Sequence, residues 1–145
     1  MKKQVPSLYK VLTIAGSDSG GGAGIQADIK TITALGGYAT TVITALTAQN
    51  TLGVQSILEV PASFVGQQID AIMTDIGTNA VKTGMLVNKD IVDVVSLKIK
   101  EYNIKCVVVD PVMISKNEKR LLSTDAVNAL TSQLFPLSFL VTPNI

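Results

Sequence analysis

Histidine is absent from all 145 residues. That removes catalytic triads built on imidazole, histidine acid–base pairs and every zinc site that needs an imidazole ligand. Tryptophan is absent too, and aromatic residues make up only 4% of the chain, too few to build a platform for stacked bases. The single cysteine, Cys106, cannot form an internal disulfide or a thiolate cluster, which suits a reducing compartment. Charge is sparse: 12 Lys+Arg against 11 Asp+Glu leave a net charge of +1, with no electrostatic footprint for nucleic acid or an anionic membrane. No window reaches the ~18 consecutive apolar residues of a membrane span. The apolar stretch at 11–15 behind the basic start Met1-Lys2-Lys3 is too short for a signal-peptide core. These absences describe a cytoplasmic protein with neither a nucleic-acid nor a membrane partner.

What is present is apolar and periodic. Hydrophobic residues are 47% of the chain, which excludes disorder for its bulk, and the length corresponds to a single domain over 1–145. Residues 9–15 read as a buried strand. Beyond a glycine-rich loop, Ile25, Ile29 and Ile32 mark one face of a helix, stopped by Gly36-Gly37 as a left-handed C-cap would stop it. The β-branched run Thr40-Thr41-Val42-Ile43-Thr44 places a second strand at 38–48, and 55–60 reads as a short extra strand at an edge. Pro61 opens a helix in its first turn, with Val65, Ile69, Ile72, Met73 and Ile76 as its stripe. A strand at 80–85 follows. Asn88 then caps a helix through Lys100, and 106–109 is a strand apolar enough to be covered on both faces. Ser123 caps a last helix before a strand at 139–141. Five strands alternating with four helices predict an α/β fold with a mostly parallel central sheet and right-handed crossovers.

Ligands of such sheets sit beyond the carboxyl ends of the strands. The loops 16–24, 49–53, 84–88, 110–116 and 142–145 should therefore share one rim. The first of them, Gly16-Ser17-Asp18-Ser19-Gly20-Gly21-Gly22-Ala23-Gly24, holds five glycines in nine positions. Ahead of a helix, such a loop reads as a binding loop offering free amides. It is not a P-loop, since position 22 is Gly rather than Lys. Gly22-Ala23-Gly24-Ile25-Gln26-Ala27 matches a dinucleotide fingerprint only loosely, because the second strand leads to Gln49 and not to a ribose-binding carboxylate. Asp28, placed in the first turn of the helix and away from its apolar stripe, reads as a helix-terminus carboxylate or as an acceptor for a ligand hydroxyl. Gln49 carries the donor and acceptor that read an aminopyrimidine edge, or is a solvated amide at a strand end. Asp110 closes a buried strand where a carboxylate can orient Mg²⁺. Lys116 could meet an anion, and Cys106 reads as core packing.

Five segments together carry a resemblance. They are 14–28 (Ile-Ala-Gly-Ser-Asp-Ser-Gly-Gly-Gly-Ala-Gly-Ile-Gln-Ala-Asp), Thr44-Ala45-Leu46-Thr47-Ala48-Gln49-Asn50-Thr51, Lys82-Thr83-Gly84-Met85-Leu86, Val109-Asp110-Pro111-Val112-Met113 and Thr142-Pro143-Asn144. In this order the chain resembles the hydroxymethylpyrimidine/phosphomethylpyrimidine kinases of thiamine biosynthesis. The resemblance implies a ribokinase-like three-layer α/β/α sandwich, ATP and Mg²⁺ as cofactors, and a small pyrimidine as substrate. It also implies a homo-oligomer, a dimer, for the full-length parent. By the same resemblance Gly16, Ala23, Asp28, Gln49, Met85 and Val112 form the pyrimidine pocket, with Asp110 and Asn144 near phosphates and Asp110 near the metal. The segment after Met113 departs from the family's glycine-containing pattern at Lys116-Asn117-Glu118. Family members also continue beyond Thr-Pro-Asn, and the resemblance places the family's catalytic base past the position of Ile145. No residue of this chain is therefore assigned as the base. The expectation is a truncated, substrate-binding portion, inactive by itself. Pyridoxal kinase, which phosphorylates a similar hydroxymethyl heterocycle, and a non-catalytic pyrimidine-binding module are the rival expectations.

Overall fold

The computed structural model describes residues 8–112 and 122–143. Its elements, in chain order, are β1 (Lys10–Asp18), α1 (Gly24–Ala34), β2 (Tyr38–Asn50), β3 (Gly53–Glu59), α2 (Ala62–Met73), β4 (Ala80–Thr83), α3 (Lys89–Glu101), β5 (Val107–Val109), α4 (Thr124–Ala129) and β6 (Leu140–Val141). A π turn at Leu130–Leu134 and a 3₁₀ turn at Phe135–Leu137 carry α4 toward β6. The six strands form one sheet in the order β3-β2-β1-β4-β5-β6. All neighbours are parallel except β2 and β3, which pair antiparallel. The edge strand expected at 55–60 is β3.

The layering follows from handedness. The chain steps from β1 to β2 in one direction, then from the β2–β3 arm back across to β4 and on to β5 and β6 in the other. Right-handed crossovers made in opposite directions place their helices on opposite faces. Accordingly α1 packs mainly on β1 and β2. On the other face α2, α3 and α4 pack side by side over Leu12, Ile14, Val42, Val81, Val107 and Val109. Val65 and Ile69 of α2 and Ile91, Val92, Val95 and Ile99 of α3 complete this core, all essentially buried.

The expectation that 106–109 is covered on both faces is corrected by the same rule. Val107 and Val109 are buried but Val108 is only half-buried, because α1 reaches β1 and β2 and not β5. Pro61 is the N-cap of α2 rather than a first-turn residue, and Ile76 falls beyond its last turn.

Local chemistry explains the boundaries. α1 ends on the expected glycine cap: Gly36 adopts φ 80°, its N–H donates to Thr33 O at 3.0 Å, and that of Gly37 donates to Ile32 O at 2.9 Å, the two bonds of a Schellman motif. Asn88 and Ser123 cap α3 and α4 by accepting from the N–H groups of Ile91 and Ala126. α2 and α3 are tied by Asp70, whose Oδ1 accepts from the Tyr102 hydroxyl and the Lys98 ammonium, each at 2.7 Å.

Lys98 first and Tyr102 second hold the Asp70 carboxyl below its usual range. A lowered folded-state pKa stabilises above the unfolded pKa, and the benefit is lost as pH falls through the folded value. Asp70→Asn is therefore expected to cost stability at pH 7, by less than ~1 kcal/mol since the group is partly exposed. The cost should shrink as pH falls below the ordinary carboxylate pKa of 3.8 and vanish below the lowered folded value. Urea denaturation at pH 7 and pH 3 checks this, and a difference independent of pH would contradict it.

Candidate functional site

The chain's change of direction lies between β1 and β4, and a cavity of about 620 Å³ opens there, at the carboxyl ends of β1, β2, β4 and β5. Such a switch point splays the loops of neighbouring strands apart and leaves a crevice between them. Four of the five expected rim loops wall it. Gly16, Ala23, Asp28, Gln49, Met85, Asp110 and Val112 all line this one cavity. Thr142, from the fifth loop, bonds through its N–H to Val109 O at 2.9 Å but is not part of the wall. Lys116, Asn144 and the last residue, Ile145, lie outside the described residues. The expected phosphate role of Asn144 and the placement of the catalytic base past Ile145 therefore gain no geometry here, and neither gives the cavity a catalytic base.

The glycine loop does not present its amides freely. Asp18 is 6% exposed, and its carboxylate takes them from within. Oδ1 accepts from Gly20 N at 2.8 Å, and Oδ2 accepts from Gly22 N at 2.9 Å and Ala23 N at 2.8 Å. The expectation of a loop with open N–H groups is corrected accordingly, since an anionic oxygen already occupies the concavity they form. Gln26 on α1 locks the loop from the other side, accepting from Asp18 N and donating to the Ser17 hydroxyl. Gly24 cannot be replaced: its φ is 56°, and a Cβ there would lie 2.3 Å from Gly16 O. Sequence reasoning misses Asp18 as a functional position, although an Asp two and four residues before glycines is a signal for side-chain capping of a turn.

Asp28 sits in the second turn of α1, not the first, and it faces the sheet. The reason is arithmetic: 28 is i+3 from Ile25, so it shares the stripe of Ile25, Ile29 and Ile32. Its Oδ2 accepts from the Thr13 hydroxyl of β1 at 2.6 Å and from Lys82 Nζ of β4 at 3.0 Å. Lys82 Nζ also lies 4.0 Å from Asp110 Oδ2, so one ammonium stands between two carboxylates. Gly84 makes room for it, since a Cβ there would come within 3.1 Å of Lys82 Nζ and 3.0 Å of Ala15 Cβ. Burial pushes the Asp110 carboxyl up, Lys82 pulls it down and Asp28 adds to the rise. Lys82 is the second residue that sequence reasoning misses. Its signal is a charge midway along a short central strand whose neighbours Val81 and Thr83 are buried.

Gln49 lies near the end of β2, past a register shift between Ala48 and Gln49 in the pairing with β3. The extra residue is on β3, where Gln55 falls between Ser56 and Val54, the partners of Ala48 and Gln49. Ser19 clamps its backbone twice: the hydroxyl donates to Gln49 O at 2.7 Å and accepts from Gln49 N at 2.8 Å. Across the cavity, Met85 is held by its carbonyl, which accepts from the buried Thr44 hydroxyl at 2.6 Å. Two residues further, Val87 adopts φ 63° beneath a bond from Asn88 N to Leu86 O. A β-branched residue in the left-handed region is strained, and such strain clusters at functional loops. The cavity thus joins a polar rim (Gln49, Asp28, Lys82, Asp110) to small and apolar walls (Gly16, Ala23, Met85, Val112), the composition of a small-molecule site. Among the described residues, no three Asp, Glu or Cys side chains gather to hold a metal by themselves.

Comparison with known proteins converges on one family. The sequence model described as phosphomethylpyrimidine kinase matches residues 18–145. The chain is 56% identical over 135 residues to the thiamine biosynthesis bifunctional protein ThiED of Geobacter sulfurreducens, covering 93% of this chain and 28% of that protein. It is 52% identical over 139 residues to the hydroxymethylpyrimidine/phosphomethylpyrimidine kinase of Bacillus subtilis, covering 96% and 51%. The crystal structure of phosphomethylpyrimidine kinase from Clostridium difficile 630 superposes with a TM-score of 0.89 at 49% identity, over 94% of this chain and 59% of that one. Pyridoxal kinase from Staphylococcus aureus, in complex with AMP-PCP and pyridoxal, superposes with a TM-score of 0.82 at 34% identity, over 95% and 49%. The chain therefore spans about half the length, or less, of the curated relatives it matches.

The Asp18 network carries a direct expectation. Asp18→Asn keeps one acceptor oxygen and sets an NH₂ against loop N–H groups, so it should destabilise the fold by about 1–3 kcal/mol. Asp18→Ala, which leaves three amides without their partner, should cost more. Chemical denaturation of the two variants tests it, and unchanged stability in both would show that the loop does not depend on this carboxylate.

Proposed function

Because the chain belongs to the phosphomethylpyrimidine kinase family, we propose that its cavity binds 4-amino-5-hydroxymethyl-2-methylpyrimidine and its monophosphate. The activity this reading assigns is their phosphorylation with ATP in thiamine biosynthesis. One observation carries the reading: Gln49, fixed at the backbone by Ser19, borders a cavity whose other walls include Ala23, Met85 and Val112. A primary amide offers one donor and one acceptor side by side, the complement of an amino group next to a ring nitrogen, and the apolar walls take the ring faces.

The reaction is a phosphoryl transfer. In the first transfer the substrate's hydroxymethyl oxygen, releasing its proton to solvent, forms a bond to the γ-phosphorus as the bond to the ADP oxygen breaks. In the second an oxygen of the monophosphate is the nucleophile, and catalysis of both is mostly positioning and charge stabilisation. AMP-PCP in the Staphylococcus aureus relative supports ATP as donor. Asp110 fits a divalent cation. Its carboxyl is raised by burial and by Asp28, penalties that a cation relieves, and Mg²⁺ is commonly held by one or two carboxylates together with phosphate oxygens. When bound, Mg²⁺ supplies neutralisation of the phosphate charge. Lys82 orients Asp28 and lies within reach of Asp110, and Asp28 and Asp110 share the wall where the hydroxymethyl group would be held. In the Bacillus subtilis relative the matched segment is 51% of the length, and ADP release by the 145 residues alone is expected to remain at background.

A second reading, pyridoxal as the ligand, is favoured by the likeness to the Staphylococcus aureus pyridoxal kinase. Calorimetric titration of the chain with the aminopyrimidine and with pyridoxal separates the two, and tighter binding of the aminopyrimidine is expected. Gln49→Ala should weaken that binding by about 1–3 kcal/mol, the cost of leaving ligand polar groups unpaired. Equal affinities for the variant and the parent chain would remove Gln49 from the site.

A further inference from the structure

The hydrogen bonds around Gln49 contain more information than its presence in the wall. Thr47 Oγ1 lies 2.9 Å from Ser17 O and 3.2 Å from Gln49 Oε1. A hydroxyl carries one proton and cannot donate to both. The Ser17 carbonyl is an acceptor only and is the nearer partner, so it takes the proton. The Thr47 oxygen then turns its lone pairs toward the Gln49 amide, where another lone-pair-bearing oxygen at 3.2 Å would be repelled. The two ends of an amide are sterically equivalent, and the hydrogen-bond network decides which end faces which partner. Rotating the amide by half a turn replaces the repulsion with an N–H bond donated to Thr47. Gln49 cannot escape by moving its backbone, which Ser19 holds at both N–H and C=O.

We propose that Thr47 is a positioning residue that sets the polarity of the Gln49 amide, so that the site selects 4-aminopyrimidines over 4-oxopyrimidines. With one Nε2 proton committed to Thr47, Gln49 presents Oε1 and its second Nε2 proton to the cavity in a fixed order. An aminopyrimidine edge offers an exocyclic donor beside a ring acceptor. A 4-oxopyrimidine edge offers the reverse, an exocyclic acceptor beside a ring N–H. A Gln free to rotate pairs with either edge by flipping, whereas a Gln locked by Thr47 pairs with only one. The inference rests on the aminopyrimidine reading above and deepens it. Residues 47 and 49, two apart on β2, share by strand alternation the face that borders the cavity.

The test is calorimetric titration of the 145-residue chain with 4-amino-5-hydroxymethyl-2-methylpyrimidine and with its 4-oxo counterpart. Unmodified chain is expected to prefer the amino compound by about tenfold or more, because the mispaired oxo edge leaves a donor and an acceptor of the site unsatisfied. Thr47→Val and Thr47→Ala remove the hydroxyl and should shrink that ratio to about threefold or less, mainly by tighter binding of the oxo compound. Thr47→Ser keeps the hydroxyl and should keep the ratio. A merely structural role for Thr47 would weaken both ligands alike and leave the ratio unmoved, and that result overturns the proposal. So does a Ser variant that behaves like the Val variant, or unmodified chain that binds both compounds equally. If unmodified chain binds neither compound, the aminopyrimidine reading itself falls and takes this inference with it. Normal amino-compound binding with an unmoved ratio in the variants removes the inference alone.

Discussion

Strand β1 imposes the constraint on which the rest of the molecule depends. It has parallel neighbours on both sides, β2 and β4, and the chain leaves it in one direction and returns past it in the other. Handedness then leaves no freedom in where the helices go. The same reversal opens the crevice between the β1 and β4 loops, so the position of the cavity and the layering of the helices have one cause. β1 is correspondingly well buried from Leu12 through Gly16, and it hands its last residues directly to the glycine loop.

Inside the cavity, three carboxylates serve three purposes, set by what surrounds them. Asp18 is consumed by the loop it belongs to, neutralising amides that would otherwise seek an external anion. Asp28 is committed to Thr13 and Lys82, pinning α1 to the sheet from within the wall. Asp110 has, among the described residues, Lys82 at 4.0 Å as its ion-pair partner, and burial pushes its carboxyl up. An ordinary count of charges would treat the three as equivalent. Their partners make one a structural anion, one a fixed wall element and one a partly buried carboxylate facing the cavity.

Much of the architecture is legible along the chain because it is written in local chemistry. The Gly36-Gly37 stop, the Asn88 and Ser123 caps, the stripes of α2 and α3 and the edge strand β3 each depend on residues a few positions apart. The resemblance motifs likewise bring Gly16, Ala23, Gln49, Met85, Asp110 and Val112 to one cavity. The misreadings have both local and distant causes: Asp18 takes amides two to five residues ahead of it, whereas the contacts of Asp28 and the coverage of β5 depend on distant segments. Asp28 reads locally as a first-turn residue off the stripe, when its partners Thr13 and Lys82 are 15 and 54 residues distant. The coverage of β5 is misjudged because it depends on which direction every preceding crossover takes.

The sequence by itself determined the α/β alternation, the caps and turns, the glycine loop and the family to which the chain belongs, because periodicity and short motifs act over a turn of helix or a pair of strands. Only the tertiary structure decided that Asp18 fills its own loop, that Lys82 stands between Asp28 and Asp110, and that Thr47 faces the amide of Gln49. In each case the deciding quantity is the direction of a hydrogen bond, or the distance between charges carried by different elements. A one-proton hydroxyl set between a carbonyl of the neighbouring strand and an amide, or an ammonium between two carboxylates, exists only once the sheet has brought those strands into register.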